Sequence, residues 1–257
     1  MFSFSFNGVD LANYRVVVNS ATRDPSYHQF GHIQLEDKAY AGRVKFLPLL
    51  LSLDISVIGN KDDVIVIPPI AILGVRNLIT YIKKVLSPRD IYQLILDTIP
   101  DRYWLARFQS LDGAFLAPGY FRGNVDFLCE DPRAFHIIET VHTFNIDADP
   151  KTVGEGIGST AFVEPVYLLT AGENVGATTV TLENLATGQE ISWVGTIAIT
   201  DTLEIDTAHW LVKLNGVVDM ATVGGLFPKL IPGINPLVVG GFGVLGTMQV
   251  TYRNAFE

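Results

Sequence analysis

The sequence predicts a mainly β protein with two domains and one α-helix. Two observations predict this class. Apolar and polar residues alternate along many short segments, and Gly, Asn, Asp or Pro residues bound most of them. A single segment near residues 75–86 has the apolar spacing of an amphipathic helix instead. We expect a strand-rich first domain at 1–148 and an antiparallel β-sandwich at 149–257.

The first domain begins with two strand patterns. "FSFSF" (2–6) alternates aromatic residues with Ser, and Asn7-Gly8 follows it with the chemistry of a tight turn. "LLLSLDISVI" (49–58) alternates in the same way, so one of its faces is expected to be buried. That face consists of Leu51, Leu53, Ile55 and Val57.

The helix is predicted in "GVRNLITYIKKVL" (74–86), where apolar residues recur at intervals of three and four. The next segment, "SPRDIYQLILDTIPDRYWLARF" (87–108), allows two interpretations. Ser87-Pro88 is typical of a helix start, whereas Tyr92, Leu94 and Leu96 alternate and "DTIPDR" has the chemistry of a turn. We predict a hairpin.

The second domain is expected to follow a linker. Residues 145–159 are rich in acidic residues and Gly and show no apolar period, which favours a boundary there. About eight short strand patterns follow, with turn residues at Asn184–Gly188 and at Asn215-Gly216. This spacing is typical of a sandwich of two antiparallel sheets.

Composition excludes several classes of function. The net charge is −9 at pH 7, with few clustered basic residues, which argues against binding of nucleic acid or of an anionic membrane surface. The longest apolar stretch, residues 64–75, is shorter than the roughly 20 residues of a membrane span. The first ten residues lack the basic and apolar regions of a signal peptide, so none is expected.

Candidate catalytic and metal-binding residues are few. His28 and His32 have the i, i+4 spacing of a zinc protease, but Gln29 occupies the position of the catalytic Glu. Cys129, the one cysteine, lies in an apolar strand pattern and is expected to be buried and inert. We therefore predict no enzyme, no cofactor and no metal.

A dinucleotide-binding fingerprint occurs near the end of the sequence, in Gly241-Phe-Gly-Val-Leu-Gly246. Such a turn needs a helix after its third Gly. Here "TMQVTY" (247–252) follows and alternates as a strand. We predict a hairpin loop between the last two strands, in which the glycines allow positive φ angles.

Three groups of motifs, in this order, resemble the distal tail protein (Dit) family of long-tailed phages. The first is "FSFNGVDLANYRVVV" (4–18), with the turn Asn7-Gly8 between two strands. The second is the helix "NLITYIKKVL", the hairpin "LILDTIPDRYWLARF" and the strand "GNVDFLCEDPRAF". Its motif residues are Pro100, Asp101, Arg102, Tyr103, Asp131 and Pro132.

The third group runs from "WVGTIAITDTLEID" through an Asn-Gly turn to "FPKLIPGIN" and "VTYRNAF". Its motif residues are Asn215, Gly216, Phe227, Pro228, Pro232, Gly233 and Asn235. The sequence departs from the family pattern at Thr200, where Gly is frequent, and at Trp104, where a second Tyr is common.

The resemblance implies a structural virion protein at the distal end of a phage tail, made in the host cytoplasm. Its N-terminal domain, β-sandwich-like with the packed helix, would form a homohexameric ring. Its C-terminal domain would be a galectin-like β-sandwich. The partners implied are the tail tube protein, the tape-measure protein, the tail-associated tip protein and, in some phages, receptor-binding proteins. DNA would pass through the ring without specific binding.

A second interpretation is a carbohydrate-binding module in the C-terminal sandwich. It would contact glycans through Trp193, or through Trp210 with His209. Strand alternation in "HWLVKL" favours the simpler arrangement, in which Trp210 and Val212 point inward.

Overall fold

The computed structural model describes residues 2–24, 48–59, 64–67, 70–87 and 90–256. They form two compact units, Met1–Ala134 and Phe135–Glu257. The mainly β class with a helix in the first unit is confirmed. Within the described residues, no helix is both long enough and apolar enough to cross a membrane.

The first unit consists of β1 (Phe4–Phe6), β2 (Val9–Asp10), a 3₁₀ helix (Leu11–Tyr14), β3 (Val16–Asp24), β4 (Leu49–Ile58), β5 (Val64–Ile67), β6 (Ile70–Leu73), α1 (Gly74–Leu86), β7 (Tyr92–Leu96), β8 (Arg102–Ala117) and β9 (Tyr120–Cys129). Seven of its strands form one antiparallel sheet in the order β2-β1-β7-β8-β9-β4-β3. β5 pairs with β6 in a separate two-stranded sheet.

The apolar faces predicted for these elements are buried. Phe4 and Phe6 pack against Phe127 of β9, with ring centroids 5.7 and 5.0 Å apart. The inward positions of β4 are at most 1% exposed from residue 51 to residue 57. The buried stripe of α1 is Val75, Leu78, Ile79, Ile82 and Leu86. The hairpin predicted between residues 92 and 108 is confirmed, since Leu94 of β7 pairs with Trp104 of β8.

β10 (Ala134–His136) begins at the last residue of the first unit. The second unit contains β11 (Thr140–Ile146), β12 (Lys151–Ile157), β13 (Val166–Ala171), β14 (Gly176–Asn184), β15 (Gln189–Ile197), β16 (Thr202–Asp206), β17 (Leu211–Leu214), β18 (Val217–Val218), β19 (Val223–Gly225), β20 (Gly233–Gly240), β21 (Gly246–Tyr252) and β22 (Ala255–Phe256). One sheet has the order β11-β21-β13-β16-β17-β18, and the other has the order β12-β20-β14-β15-β19. Both contribute to one apolar core, so the predicted sandwich is confirmed.

The linker predicted at 145–159 is wrong. β12 fills most of this segment and pairs along its length with β20, and β11 pairs with β21. The units therefore divide at residue 134 instead of residue 148. β12 escapes recognition because two of its outward positions are glycines, Gly154 and Gly156, and one of its inward positions is the acidic Glu155. An alternation of apolar and polar residues cannot be seen in such a strand.

Two Asn-Gly turns adopt the geometry expected of them. Asn7 and Gly8 have φ angles of 52° and 71°, and Asn215 and Gly216 have 49° and 78°. Positive φ at both central residues is the mark of a type I′ turn. These turns connect β1 to β2 and β17 to β18.

Thr200 lies in the left-handed region at φ 73°, which is unusual for a β-branched residue. Its amide donates to the carbonyl of Ala171 at 2.9 Å, which fixes the turn before β16. Such strain costs about 1–3 kcal/mol, and replacement by glycine would relieve it. The greater chain entropy of glycine in the unfolded state would offset only roughly 0.5–1 kcal/mol of this relief. We therefore expect Thr200→Gly to raise the free energy of unfolding by about 1 kcal/mol.

Urea unfolding measures this change. The matched control is Thr196→Gly on β15. Thr196 is exposed and has no positive φ angle to relieve, so this variant should be less stable than the parent. A stability of Thr200→Gly at or below that of the parent would contradict the predicted strain.

Candidate interaction sites

The glycine-rich segment 241–246 connects the two sheets of the second unit. β20 pairs with β12 and β14, whereas β21 pairs with β11 and β13. The predicted hairpin is therefore wrong, because the chain crosses from one sheet to the other here. Phe242 is buried in the core at 1% exposure, which fixes the crossing.

The glycines do supply the predicted backbone freedom. Gly241 and Gly243 have φ angles of 71° and 86°. A Cβ atom on Gly241 would lie 2.0 Å from the carbonyl oxygen of Thr179, so a larger residue cannot fit without moving the backbone. The strand prediction for residues 247–252 is confirmed by β21.

Two carboxylates accept hydrogen bonds from the backbone amides of this crossing. Asp149 accepts from the amides of Gly241 and Gly243, at 2.7 and 3.3 Å, and Glu173 accepts from the amide of Val244 at 2.6 Å. In a dinucleotide-binding turn, such amides would face a phosphate. Here the carboxylates of Asp149 and Glu173 occupy the position that a phosphate would take, and their negative charge would repel it.

The "FPKLIPGIN" segment is held by a buried network of two amides. Asn235 is fully buried, and its Oδ1 accepts from the amide of Ile231 at 2.9 Å and from Nδ2 of Asn184 at 3.0 Å. The Asn184 Nδ2 also donates to the carbonyl of Lys229 at 2.6 Å. Tyr167 Oη donates to the carbonyl of Pro228 at 3.0 Å. The network explains why polar side chains are needed beside this proline-rich loop.

Trp193 is unsuited to contact a sugar. Its ring is only 2% exposed, and its Nε1 donates to Asp219 at 3.1 Å. A Cβ atom on Gly195 would come within 2.1 Å of the ring, so the indole lies against the backbone of its own strand. This residue belongs to the core, and its sequence prediction as a glycan contact is wrong.

Trp210 is exposed, contrary to the inward orientation that strand alternation predicted. Its φ angle of 58° places it in a left-handed turn before β17, so the alternation begins only at Leu211. The indole is 36% exposed and stacks on Phe227, with centroids 6.1 Å apart. The neighbouring His209 is exposed, and its Nδ1 is 2.7 Å from Oδ2 of Asp206. The fold thus places His209 and Trp210 near Phe227 but leaves Trp193 in the core.

Glu155 is a buried acidic residue that sequence reasoning missed. It is fully buried on β12, and its carboxylate accepts from Tyr252 Oη at 2.8 Å and from His142 Nδ1 at 2.8 and 3.0 Å. Burial, and then the hydrogen bond to Glu155, raise the pKa of Tyr252. Burial also raises the pKa of Tyr167, with a contribution from the charge of Glu155. These groups link the two sheets through a polar cluster inside the sandwich.

Besides the Asn7-Gly8 turn, the motif residues of the first unit lie in or directly beside two other turns. Pro100 and Asp101 form the turn between β7 and β8, where the amide of Arg102 donates to the carbonyl of Ile99 at 3.3 Å, and Tyr103 is buried. Asp131, which precedes Pro132, accepts from the backbone amide of Arg133 at 3.0 Å and from both Nε and Nη2 of its guanidinium. Both motifs therefore lie at turns that local hydrogen bonds close.

Groups suited to catalysis are sparse among the described residues. No cluster of three metal-binding side chains occurs in the part of the chain that the structure describes. Cys129 is fully buried on β9, which confirms its predicted burial. His28 and His32 lie outside the described residues.

No family model and no curated protein matches the sequence. The fold, however, matches that of a solved structure, the Dit (gp 19.1) protein of phage SPP1, described as a paradigm of the hub adsorption apparatus in Gram-positive infecting phages. The two chains are 14% identical, the match covers 100% of each, and the TM-score is 0.71. The baseplate of phage p2 in its activated conformation with Sr is 8% identical over 98% of each chain, with a TM-score of 0.38. The likeness to the SPP1 protein establishes a shared fold over the whole length.

Proposed function

We propose that the chain is a distal tail protein of a long-tailed phage, a structural hub between the tail tube and the host-adhesion apparatus. The observation that carries this proposal is the likeness in fold to SPP1 Dit over the full length of both chains. The order of the motifs along the sequence supports it independently. The role needs binding surfaces and no catalytic group, and it places the protein at the distal end of the virion tail after synthesis in the host cytoplasm.

In this proposal the first unit forms a homohexameric ring. An exposed apolar cluster at the turn between β8 and β9 supports ring formation, because it can serve as a contact surface between neighbouring chains. Phe115 and Leu116 of β8 are 41% and 62% exposed there, and Ile58, at the end of β4 beside this turn, is 50% exposed. Exposed apolar clusters of this kind mark protein–protein contacts.

The ring would join the tail tube and tape-measure proteins to the tail-associated tip protein and, in some phages, to receptor-binding proteins. Its channel would allow DNA to pass. The net charge of −9 supports this part of the proposal, since an acidic protein does not retain a polyanion through phosphate contacts.

Light scattering after size-exclusion chromatography tests the ring. We expect a species near six times the chain mass of 28.2 kDa, and ring-shaped particles in electron micrographs. Leu116→Asp places a charge in the apolar cluster and should shift the population towards single chains. Ile199→Asp, at a residue that is 51% exposed in the second unit, is the control and should leave the ring intact.

A single-chain mass at every concentration, both alone and with tube and tip proteins, would overturn the hub proposal. If both the Leu116→Asp variant and the control variant still form rings, the contact surface does not include the β8–β9 turn.

A second candidate function is glycan contact by the second unit. It is favoured by the exposed Trp210 and by His209, whose ring is oriented by Asp206. Aromatic rings pack against the apolar faces of sugars, while a polar neighbour binds a hydroxyl group.

Titration with host cell-wall polysaccharide tests this candidate. We expect weak binding that Trp210→Ala and His209→Ala each reduce at least threefold, while Val217→Ala, a change at an exposed residue of β18, has no effect. Absence of binding, or equal binding by all three variants, would leave only the scaffold role.

A further inference from the structure

A pocket of about 410 Å³ opens at one end of the second unit, where β11 and β13 end and β21 begins. Three segments line this strand-end pocket: residues 145–147, 170–172 and 244–247. Its volume is within the range of about 300–1,000 Å³ that ligand sites in proteins occupy. It can therefore accept a large apolar side chain together with part of the chain that bears it.

The wall formed by the glycine-rich crossing is apolar and held in place. Val244 and Leu245 are 44% and 60% exposed. Asp149 and Glu173 bind the amides of this crossing, and a Cβ atom on Gly172 would lie 1.8 Å from the carbonyl oxygen of Leu245. The backbone thus keeps two apolar side chains partly in solvent, although burial of their exposed surface would be favourable.

The surroundings of the pocket are acidic. Asp147 lines it, Asp149 and Glu173 hold its wall, and Lys151 is the cation paired with Asp147. These four side chains have three negative charges and one positive charge, which gives a net charge of −2. The hydrogen bond from Lys151 lowers the pKa of Asp147, so this carboxylate stays ionised at neutral pH. An acidic rim attracts a basic partner and repels an acidic one.

We propose that the strand-end pocket is a docking site for a basic segment of another protein, which inserts one large apolar side chain against Val244 and Leu245. The apolar wall selects the inserted side chain, and the carboxylates select Lys or Arg residues beside it. The inference depends on the second unit alone and goes beyond the proposed hub role. A measured mass of one chain would overturn the hub role but would leave the docking proposal standing.

Selection from a library of random twelve-residue peptides tests the proposal. We expect the enriched peptides to share a Leu, Ile, Met or Phe residue next to Lys or Arg. Their affinity for the Val244→Ser/Leu245→Ser double variant should be at least about tenfold lower, the factor that corresponds to loss of one buried apolar contact. Their affinity should also fall as the salt concentration rises.

The matched control is the Val217→Ser/Val218→Ser variant, which changes two adjacent exposed apolar residues on β18, at the far edge of the same sheet. It should bind the enriched peptides as the parent does, and both variants should melt at the parent temperature. The proposal is overturned if no peptide is enriched, if the enriched peptides are acidic or lack an apolar residue, or if both double variants bind equally well.

Discussion

Replacement of Asn235 by alanine is expected to destabilise the second unit by about 3 kcal/mol. Oδ1 of the fully buried Asn235 accepts two hydrogen bonds, and the two hydrogens of its Nδ2 face three backbone carbonyl oxygens, of Ile231, Gly233 and Glu155. Alanine would remove the acceptor of the Ile231 amide and of one N–H of the Asn184 side chain, whose other N–H keeps the carbonyl of Lys229. Each such buried donor costs about 1–3 kcal/mol. Asn235 therefore has a larger expected effect than any exposed residue of its loop.

Urea unfolding followed by tryptophan fluorescence measures this loss, because Trp193 lies in the same core. Asn145→Ala, a change of the same type at an exposed residue of β11, is the control and should alter the free energy of unfolding by less than about 0.5 kcal/mol. Equal midpoints for Asn235→Ala and the control would show that the amide network does not stabilise the loop.

His142→Ala is expected to cost about 2–3 kcal/mol in the parent protein, because it leaves the buried Glu155 carboxylate with Tyr252 as its remaining side-chain donor. Removal of a hydrogen-bond donor from a buried acceptor costs about 1–3 kcal/mol, and more where the acceptor is charged. We expect a cost inside this range because the His142 side chain is 51% exposed and water can partly replace it.

A double-mutant cycle with Glu155→Gln separates this electrostatic effect from the packing of the imidazole. Glutamine keeps the shape of the side chain but removes the buried charge. We expect His142→Ala to cost less than about 1 kcal/mol in the Glu155→Gln background, since a neutral amide needs no compensating donor of that strength. The same cost in both backgrounds would rule out the charge of Glu155 as the cause.

Elements whose signal is local could be predicted from the sequence. The stripe of α1 follows from spacing of three and four, and the buried face of β4 follows from spacing of two. The turns at Asn7-Gly8 and Asn215-Gly216 follow from the positive φ angles that these residues tolerate. In each case the decisive residues are close together in the chain, so the pattern can be recognised without knowing which elements pack against it.

The candidate sites were decided by contacts between residues far apart in the chain. Glu155 is acidic and lies between two glycines, and only Tyr252 and His142 from the opposite sheet make its burial possible. The glycine-rich crossing looks like a hairpin until the pairing of β20 and β21 shows that they belong to different sheets.

The sequence by itself determined a mainly β chain with one amphipathic helix, a C-terminal sandwich and well-defined turns, because these depend on periodicity and on local backbone preference. Only the tertiary structure decided that Trp193 is buried while Trp210 is exposed, and that the glycine-rich crossing forms a wall of the strand-end pocket. The physical reason is that burial and electrostatic environment are set by which strands become neighbours. That choice depends on the packing of the whole unit, and no short stretch of sequence contains it.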